Sequence, residues 1–277
     1  MTGERQVAVV TGAASGIGRA MALGLLQGGI NVAAVDKEAD WLGELRAAAE
    51  SKAPASALQT IPADLTDPAS FETIVSTVLS TSGRIDVLVN NAGIGQGSIR
   101  ADQRRNPIRF WEITPEQWDR FVAVNATAPL MMARAVVPHM LHAKRGRIVT
   151  VTTSLGTMLR EGYVLYGASK AAAEAATAVM SADLAGTGIT ANVLVPGGMT
   201  DTRIVPSAAV ADRSRLLRPE IMAAPLLWLV SEAADGVTGR RFLAAHWDGS
   251  LPAAAAAEKC GAPIAWKAIA TMPIEPD

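Results

Sequence analysis

The 277-residue sequence has one cysteine, three histidines and two tyrosines. A single cysteine, Cys260, cannot form an intramolecular disulfide, which excludes a small secreted module held together by disulfides. The histidines His139, His142 and His246 do not form an HExxH motif and have no cysteine cluster beside them. No zinc site is therefore indicated, and we expect chemistry without a metal ion.

The sequence also lacks an excess of charge of one sign and a long apolar run. Lysine and arginine number 25 and aspartate and glutamate 26, for a net charge of −1. Neither nucleic acid nor an anionic membrane is expected as the main partner. No apolar stretch reaches the length of about 18 residues typical of a membrane span. Because residues 1–6 are polar and charged, no signal peptide is indicated, and we expect a cytoplasmic protein.

What is present is enough apolar sequence for one large core. Apolar residues make up 49% and charged residues 18%, which excludes global disorder. Short β-branched runs alternate with Ala/Leu-rich stretches, and several runs are apolar on both faces, as in a parallel sheet covered by helices on each side. The pattern predicts a single-domain α/β fold with a doubly wound, mostly parallel sheet.

The predicted elements alternate along the chain. The strands are Val7–Val10, Asn31–Val35, Ala57–Ile61, Ile85–Asn90, Ile148–Thr152, Thr190–Val195 and Arg241–Ala245. The helices are Gly18–Gln27, Trp41–Ser51, Pro68–Ser80, Pro115–Asn125, Ala126–His142, Tyr166–Leu184 and Ile221–Ser231. We assign residues 1–251 to one domain and residues 252–277 to a C-terminal extension. Residues 94–114 form an unusually long connection, and such connections are often functional.

A glycine-rich turn, Thr11–Gly18, follows the first predicted strand and opens a helix, with its glycines in a GxxxGxG pattern. Glycine permits a tight turn and a close approach of the backbone to a pyrophosphate. The helix N-terminus adds free N–H groups and the positive end of its dipole. A glycine-rich turn without a ligand is the alternative, but a preceding strand and a following helix favour the binding site.

Asp36 ends the second predicted strand, 18 residues after Gly18. A carboxylate there can accept hydrogen bonds from both ribose hydroxyls of an adenosine and would repel a 2′-phosphate. Ser15, which stands in the turn where a basic residue would meet that phosphate, also favours NAD over NADP. Lys37 weakens this discrimination because a neighbouring cation can meet a 2′-phosphate. A solvated turn aspartate is the alternative interpretation.

The two tyrosines lie three residues apart, but only Tyr166 has a lysine, Lys170, four residues later. Residues at that spacing share a helix face. An ammonium near a phenol favours the phenolate, and an unperturbed tyrosine, with a pKa of about 10, is a poor base at neutral pH. We predict that Lys170 lowers the pKa of Tyr166 and makes it a general acid/base. Tyr163 is then a candidate for the pocket wall or for packing.

These motifs resemble those of the short-chain dehydrogenase/reductase family, in its compact single-domain branch, over roughly residues 5–250. Thr11–Gly18 is similar to the family's TGxxxGIG turn, Asn90–Gly93 to its NNAG segment, and Tyr166–Lys170 to its YxxxK motif. Pro196–Gly198 is similar to the PG turn after strand six. The resemblance implies a Rossmann fold, with residues 1–251 as the dinucleotide-binding and catalytic domain.

The resemblance also implies four catalytic residues: Asn125, Thr153, Tyr166 and Lys170. The family's active-site serine falls at Thr153 here, with Ser154 as the alternative, and its hydroxyl would orient and polarise the substrate oxygen. Asn125 would place a water that relays the proton together with Lys170. Lys170 would also hold the ribose of nicotinamide.

A further set of residues is implied to contact the cofactor. Asp64 and Leu65 resemble the acidic pair that contacts adenine, and Thr200 or Thr202 matches the threonine that contacts the carboxamide of nicotinamide. The complete set is Gly12, Ser15, Gly16, Ile17, Gly18, Asp36, Asp64, Leu65, Asn91, Ala92, Gly93, Tyr166, Lys170, Pro196, Gly197, Met199, Thr200 and Thr202.

The implied function is an NAD-dependent oxidoreductase that transfers a hydride between nicotinamide and a small secondary alcohol or ketone. The resemblance further implies a homo-oligomer, either a dimer or a tetramer. The alternatives are an NADPH-dependent ketoreductase of the same family, a catalytically silent dinucleotide-binding protein, and a sugar-nucleotide epimerase. The epimerase is disfavoured because the expected glycine spacing and a larger substrate domain are not seen.

The long connection at residues 94–114 contains Arg100, Arg104, Arg105 and Arg109. One interpretation is a clamp or lid for an anionic substrate. We favour the other, a solvated or subunit-contacting loop. With this connection, the segments Leu155–Leu165 and Thr200–Pro219 are expected to shape the substrate pocket.

Overall fold

The computed structural model describes residues 5–207 and 210–266. Within these residues, the strands are β1 Val7–Thr11, β2 Asn31–Asp36, β3 Leu58–Pro62, β4 Val87–Asn90, β5 Gly146–Val151, β6 Ile189–Val195, β7 Arg240–Leu243 and β8 Gly261–Pro263. The α-helices are α1 Gly16–Gln27, α2 Ala39–Ala49, α3 Ala69–Ser82, α4 Pro115–Val122, α5 Ala128–Ala143, α6 Leu155–Met158, α7 Val164–Asp183, α8 Ala223–Val230 and α9 Ala253–Cys260.

All eight strands form one sheet in the order β3-β2-β1-β4-β5-β6-β7-β8. Neighbouring strands from β3 to β7 pair in parallel, and β8 runs antiparallel to β7. The chain order reverses between β1 and β4, and in open α/β sheets the crevice beyond such a point is where ligands bind. The predicted doubly wound, mostly parallel sheet is confirmed.

Apolar clusters cover both faces of the sheet. In β1, Ala8 and Val10 face a cluster with α1, α2 and α8, whereas Val7 and Val9 face a cluster with α3 and α5. All five residues of β1 are buried, which explains why the strands are apolar on both faces rather than alternating.

The C-terminal segment is more structured than the predicted extension suggests. From residue 253 onwards, α9 packs on the sheet and β8 pairs with β7, so the boundary expected at residue 252 does not separate this segment from the domain. An antiparallel strand here pairs the exposed hydrogen-bonding edge of β7. Residues 267–277 of the expected extension lie outside the described residues.

The two helices predicted between Pro115 and His142 form one continuous run in which a π-helical segment, Ala123–Thr127, joins α4 to α5. Thr114 caps its start as predicted, accepting from the Gln117 backbone N–H at 3.3 Å. By length and mean hydropathy, Pro115–Ala143 passes as a candidate membrane span. Its α5 part packs against β4, β5, α3 and α7, and a core helix meets the same criterion, so this is weak evidence for a membrane.

Two helical glycines provide a matched test of this packing. A Cβ on Gly167 of α7 would overlap the carbonyl oxygen of Met158 in α6, whereas a Cβ on Gly43 of α2 would meet nothing within 4 Å. Gly43→Ala should raise the free energy of unfolding by up to about 1 kcal/mol, because alanine favours the helix. Gly167→Ala should lower it by about 1–3 kcal/mol through overpacking. Urea denaturation measures both, and equal stabilisation by the two variants would contradict the close contact between α6 and α7.

Candidate active site

A cleft of about 1090 Å³ lies beyond the carboxyl ends of β1, β2, β4, β5 and β6. It is lined by the turns that follow these strands, as the reversal in strand order predicts. Every residue predicted for the site lines this cleft except Asn125. The sheet therefore brings together motifs that are spread over about 190 residues of sequence.

The glycine-rich turn after β1 leaves the start of α1 open. Gly12 and Gly16 have φ angles of +62° and +52°, a left-handed conformation that glycine adopts without strain. Ser15, the N-cap, makes no side-chain capping bond, and the first turn of α1 contains no acidic residue. The unsatisfied N–H groups and the helix dipole are thus available to an anion, so the turn fits a dinucleotide pyrophosphate.

Thr11 and Asn91 join this turn to the end of β4. The Thr11 hydroxyl accepts from the backbone N–H groups of Asn91 and Ala92, at 3.0 and 3.1 Å. The Asn91 side-chain amide donates to the carbonyl oxygens of Thr11 and Gly12, at 2.9 and 3.1 Å. These bonds fix the central floor of the cleft and keep the NNAG segment against the glycine-rich turn.

Asp36 lies at the far end of the cleft, directly after β2. Its two carboxylate oxygens accept from the backbone N–H groups of Ala14, at 3.0 Å, and Glu38, at 3.2 Å. A carboxylate has further acceptor sites, so these bonds orient it and leave capacity for ribose hydroxyls. Asp64 turns towards its own loop, where hydrogen bonds from Thr66 lower its pKa.

The turn after β6 closes the cleft over the glycine-rich turn. A Cβ on Gly16 would lie 2.9 Å from the methyl group of Thr202, so Thr202 sits directly over this turn. Thr200 is buried and donates its hydroxyl hydrogen to the Gly198 carbonyl at 3.3 Å. Both threonines line the cleft, and which of them contacts the cofactor stays a prediction.

At the opposite end, the side chain of Thr153 lies beside the hydroxyl of Tyr166, where it acts to lower the pKa of that phenol. Ser154 is used differently, because its hydroxyl caps α6 by accepting from the Thr157 backbone N–H at 3.3 Å and by bonding the Thr157 hydroxyl at 2.7 Å. Of the two candidate hydroxyl groups, Thr153 is therefore the one beside the tyrosine. Tyr163 packs edge-on against Tyr166, with ring centroids 6.5 Å apart.

The predicted lowering of the Tyr166 pKa is wrong in direction. Burial raises the pKa of Tyr166 to about 12, and the side chain of Thr153 only partly opposes this. Burial likewise lowers the pKa of Lys170 to about 8. The Lys170 ammonium donates to the carbonyl oxygen of Val151 at 2.9 Å, at the end of β5. Desolvation disfavours the charged forms of both groups, and Lys170 is not among the groups that oppose it at Tyr166.

Asn125 is fully buried in the π-helical segment and braces the site from behind. Its Oδ1 accepts from the Ile94 backbone N–H at 2.9 Å. Its Nδ2 donates to the Ile94 carbonyl and to the Ser169 hydroxyl, both at 3.0 Å. With both amide hydrogens donated to protein groups, the side chain holds the segment after Gly93 against α7. Its implied role in placing a water stays a prediction.

A buried ion pair behind the site was missed by motif reasoning. Arg241 of β7 contacts Glu174 of α7 at 2.8 Å and donates to the carbonyl oxygen of Thr153 at 2.9 Å. Glu174 is fully buried and also accepts from the Thr152 hydroxyl at 2.7 Å and the Ala265 backbone N–H at 3.2 Å. The pair therefore fixes the backbone of Thr153 and ties it to the C-terminal segment. The two residues are 67 positions apart, so no local spacing in the sequence indicates this pair.

Comparison with known proteins agrees with this geometry. A family model described as short chain dehydrogenase matches residues 6–211. The chain belongs to the short-chain dehydrogenase/reductase family. It is 32% identical over 245 residues to a 3-oxoacyl-(acyl-carrier-protein) reductase of Thermotoga maritima, covering 86% of this chain and 95% of the relative. It is also 32% identical over 255 residues to a cyclohexanol dehydrogenase of a Rhodococcus species, covering 84% and 92%.

Solved structures show the same fold. A 3-ketoacyl-(acyl-carrier-protein) reductase from Brucella melitensis, complexed with NADH, has a TM-score of 0.74 and 29% identity, with 87% of this chain and 96% of that chain covered. A Beutenbergia cavernae protein described as an NAD(P)-dependent gluconate 5-dehydrogenase, with bound NADP, has a TM-score of 0.73 and 31% identity, with 86% and 94% covered. This short-chain dehydrogenase/reductase is thus an oxidoreductase that binds a nicotinamide dinucleotide and acts on small molecules.

The buried lysine predicts a conflict between activity and stability. The folded state bears the cost of burying the Lys170 ammonium below pH 8, and the cost disappears above pH 10.5, where the amine is neutral in both states. Lys170→Met should therefore abolish activity yet raise the free energy of unfolding at pH 7, by up to about 3 kcal/mol. The gain should shrink as the pH rises from 8 to 10.5.

Denaturant unfolding across this pH range measures the effect. The matched control is Lys259→Met, because Lys259 is exposed and pairs with Asp248 at 2.9 Å on the surface. That variant should change stability by no more than about 1 kcal/mol at any of these pH values. A loss of stability in Lys170→Met at pH 7 would show that burial of the amine carries no such cost.

Proposed function

We propose that this protein is an NAD-dependent alcohol dehydrogenase or carbonyl reductase, which transfers a hydride between nicotinamide and the carbon of a secondary alcohol or ketone. The observation that carries the proposal is the placement of Tyr166, Thr153 and buried Lys170 together in the lining of one cleft. This cluster stands at one end of a cleft whose other end holds Asp36. Asp36 and the glycine-rich turn would hold the adenosine and the pyrophosphate of a dinucleotide, and Tyr166 would face its nicotinamide.

When bound, the dinucleotide supplies the hydride carrier and, in its oxidised form, a positive charge at the nicotinamide ring. Tyr166 supplies the proton. Since burial raises the pKa of Tyr166 to about 12, its hydroxyl keeps its proton at neutral pH and is suited to donate it to a developing alkoxide. Thr153, beside Tyr166, orients the substrate oxygen. Lys170 keeps its positive charge at neutral pH, near the floor of the cleft.

The charges around Asp36 favour NAD. A 2′-phosphate would meet the carboxylates of Asp36 and Glu38. Lys37, the nearest cation in sequence, already pairs with Glu38 at 3.5 Å. Arg203 stacks on Trp41, 4.0 Å from the ring centroid, and contacts Glu44 at 3.4 Å. The NADPH-dependent alternative draws its support from the NADP bound in the gluconate dehydrogenase structure and from these two cations.

Removing the carboxylate at the adenosine end tests the cofactor preference. Asp36→Ala should raise kcat/KM with NADP relative to NAD by about 10–100-fold, because it removes repulsion of the 2′-phosphate and hydrogen bonds to the ribose. Initial rates with both cofactors measure the ratio. A wild-type enzyme that already prefers NADP would contradict the assignment of Asp36.

Three variants at the catalytic end test the chemistry. Tyr166→Phe should lower kcat by about 100-fold or more, because the proton donor is lost while the ring remains. Thr153→Ala should also lower kcat. Ser154→Ala should keep most of the activity and lower stability by about 1 kcal/mol, because it removes only the cap of α6. Unchanged turnover in Tyr166→Phe would favour the silent dinucleotide-binding protein, and a larger loss in Ser154→Ala than in Thr153→Ala would reverse the assignment of the hydroxyl.

We also propose that the protein assembles as a homo-oligomer. The helices α4 and α5 carry large apolar side chains that remain exposed in the single chain, among them Trp118, Leu130 and Leu141. A second copy would bury such side chains.

A further inference from the structure

The carboxylates that line the cleft lie towards the adenosine end. They are Asp36, Glu38, Asp64 and Asp119, which follow β2 or β3 or lie in α4, and the cations Lys37, Arg120 and Arg203 line the same end. Around Tyr166 and Thr153, the described lining contains no carboxylate. It contains two arginines instead, Arg104 and Arg160.

The four arginines of the long connection have different surroundings. Arg100 pairs with Glu112 at 2.9 Å, and Arg109 pairs with Glu161, so these two join the connection to itself and to the segment before α7. Arg105 is exposed and does not line the cleft. Arg104 lines the cleft, where its guanidinium contacts the sulfur of Met199 from the turn after β6. Among the described residues, no carboxylate pairs with Arg104.

Arg160 lines the same end of the cleft and lies in the loop between α6 and α7. Its guanidinium lies over the ring of Tyr163, 5.2 Å from the centroid. The hydroxyl of Tyr163 accepts from the side chain of Gln103, which precedes Arg104, at 2.9 Å. Tyr163 therefore contacts Gln103 on one side and Arg160 on the other. In the described part of the chain, Arg160 also has no carboxylate partner. A guanidinium stacked on a ring keeps its N–H edge free for hydrogen bonding.

We propose that Arg104 and Arg160 bind a carboxylate of the substrate, which makes hydroxy acids and oxo acids the substrate class. The proposal rests on the hydride-transfer function proposed above. Two arginine side chains without acidic partners, at the end of the cleft where the reacting hydroxyl must lie, complement a carboxylate through charge-assisted and bidentate hydrogen bonds. A clamp for an anionic substrate was the less favoured interpretation of the sequence. We now assign it to Arg104, which lies in the long connection, and to Arg160, which lies outside it.

The test compares hydroxy acids with their methyl esters. Straight-chain acids with the secondary hydroxyl at successive carbons are assayed with NAD, each beside its neutral ester. For the acid whose hydroxyl position gives the highest rate, kcat/KM should exceed that of its ester by about 10-fold or more. Arg104→Gln and Arg160→Gln should each remove most of this preference by raising KM for the acid, with the rates for the ester unchanged. Arg105→Gln is the matched control and should leave both unchanged.

The outcomes separate this proposal from the function on which it rests. If esters and neutral alcohols are oxidised with the same kcat/KM as the acids, hydride transfer stands and the carboxylate site is wrong. If the two arginine variants lower the rates for acid and ester alike, the arginines act on the fold and the proposal fails. A preference for the acid that survives both variants also overturns it.

If no compound is turned over, binding decides the question. Calorimetry with the NADH-saturated enzyme should show hexanoate binding about 10-fold more tightly than hexanamide, with the difference lost in Arg104→Gln and Arg160→Gln. Equal binding of the acid and the amide, or no binding of hexanoate, would overturn the carboxylate site. Failure of NADH itself to bind would overturn the proposed function as well.

Discussion

The contact on which the catalytic end depends is the hydrogen bond from Lys170 to the carbonyl oxygen of Val151, 2.9 Å long and buried. It fixes α7 to the end of β5 and so sets where Tyr166 stands. The backbone of Gly93 passes close beside it, since a Cβ on Gly93 would lie 3.2 Å from the Lys170 ammonium and 3.1 Å from Asn125. Asn125 closes the cluster by binding both Ile94 and Ser169. One desolvated cation thereby holds α7 to the end of β5, beside the segment after β4, at a cost that its hydrogen bond only partly offsets.

Around this cluster the two ends of the cleft carry different groups. The adenosine end holds carboxylates and an open helix N-terminus, which suit ribose hydroxyls and a pyrophosphate respectively. The catalytic end holds a protonated tyrosine, a buried lysine and two arginines without acidic partners among the described residues. The similar proteins are named for substrates as different as cyclohexanol and 3-oxoacyl-(acyl-carrier-protein), so the shared fold leaves substrate choice to such local differences. In the proposed carboxylate site, the segments that carry Arg104 and Arg160 determine which substrate this chain binds.

The sequence was sufficient for features that depend on local spacing. The glycine-rich turn, the strand that ends at Asp36 and the shared face of Tyr166 and Lys170 all follow from residues close together in the chain. The pKa directions did not follow, because they depend on burial, which comes from segments far apart. The different uses of Thr153 and Ser154 became visible only with the short helix α6, because the hydroxyl of Ser154 caps that helix. The Glu174–Arg241 pair and the pairing of β8 are tertiary contacts that a motif does not encode.

The proposed function requires that a hydride move directly between the substrate carbon and the dinucleotide at this site. Its most direct measurement uses a secondary hydroxy acid that carries deuterium on the carbinol carbon, incubated with NAD and the enzyme, followed by mass spectrometry of the cofactor. Direct transfer predicts reduced cofactor with one deuterium on its nicotinamide ring, and release of the oxo acid in equal amount. Reduced cofactor without the label, or oxidation of the substrate without reduced cofactor, would contradict it.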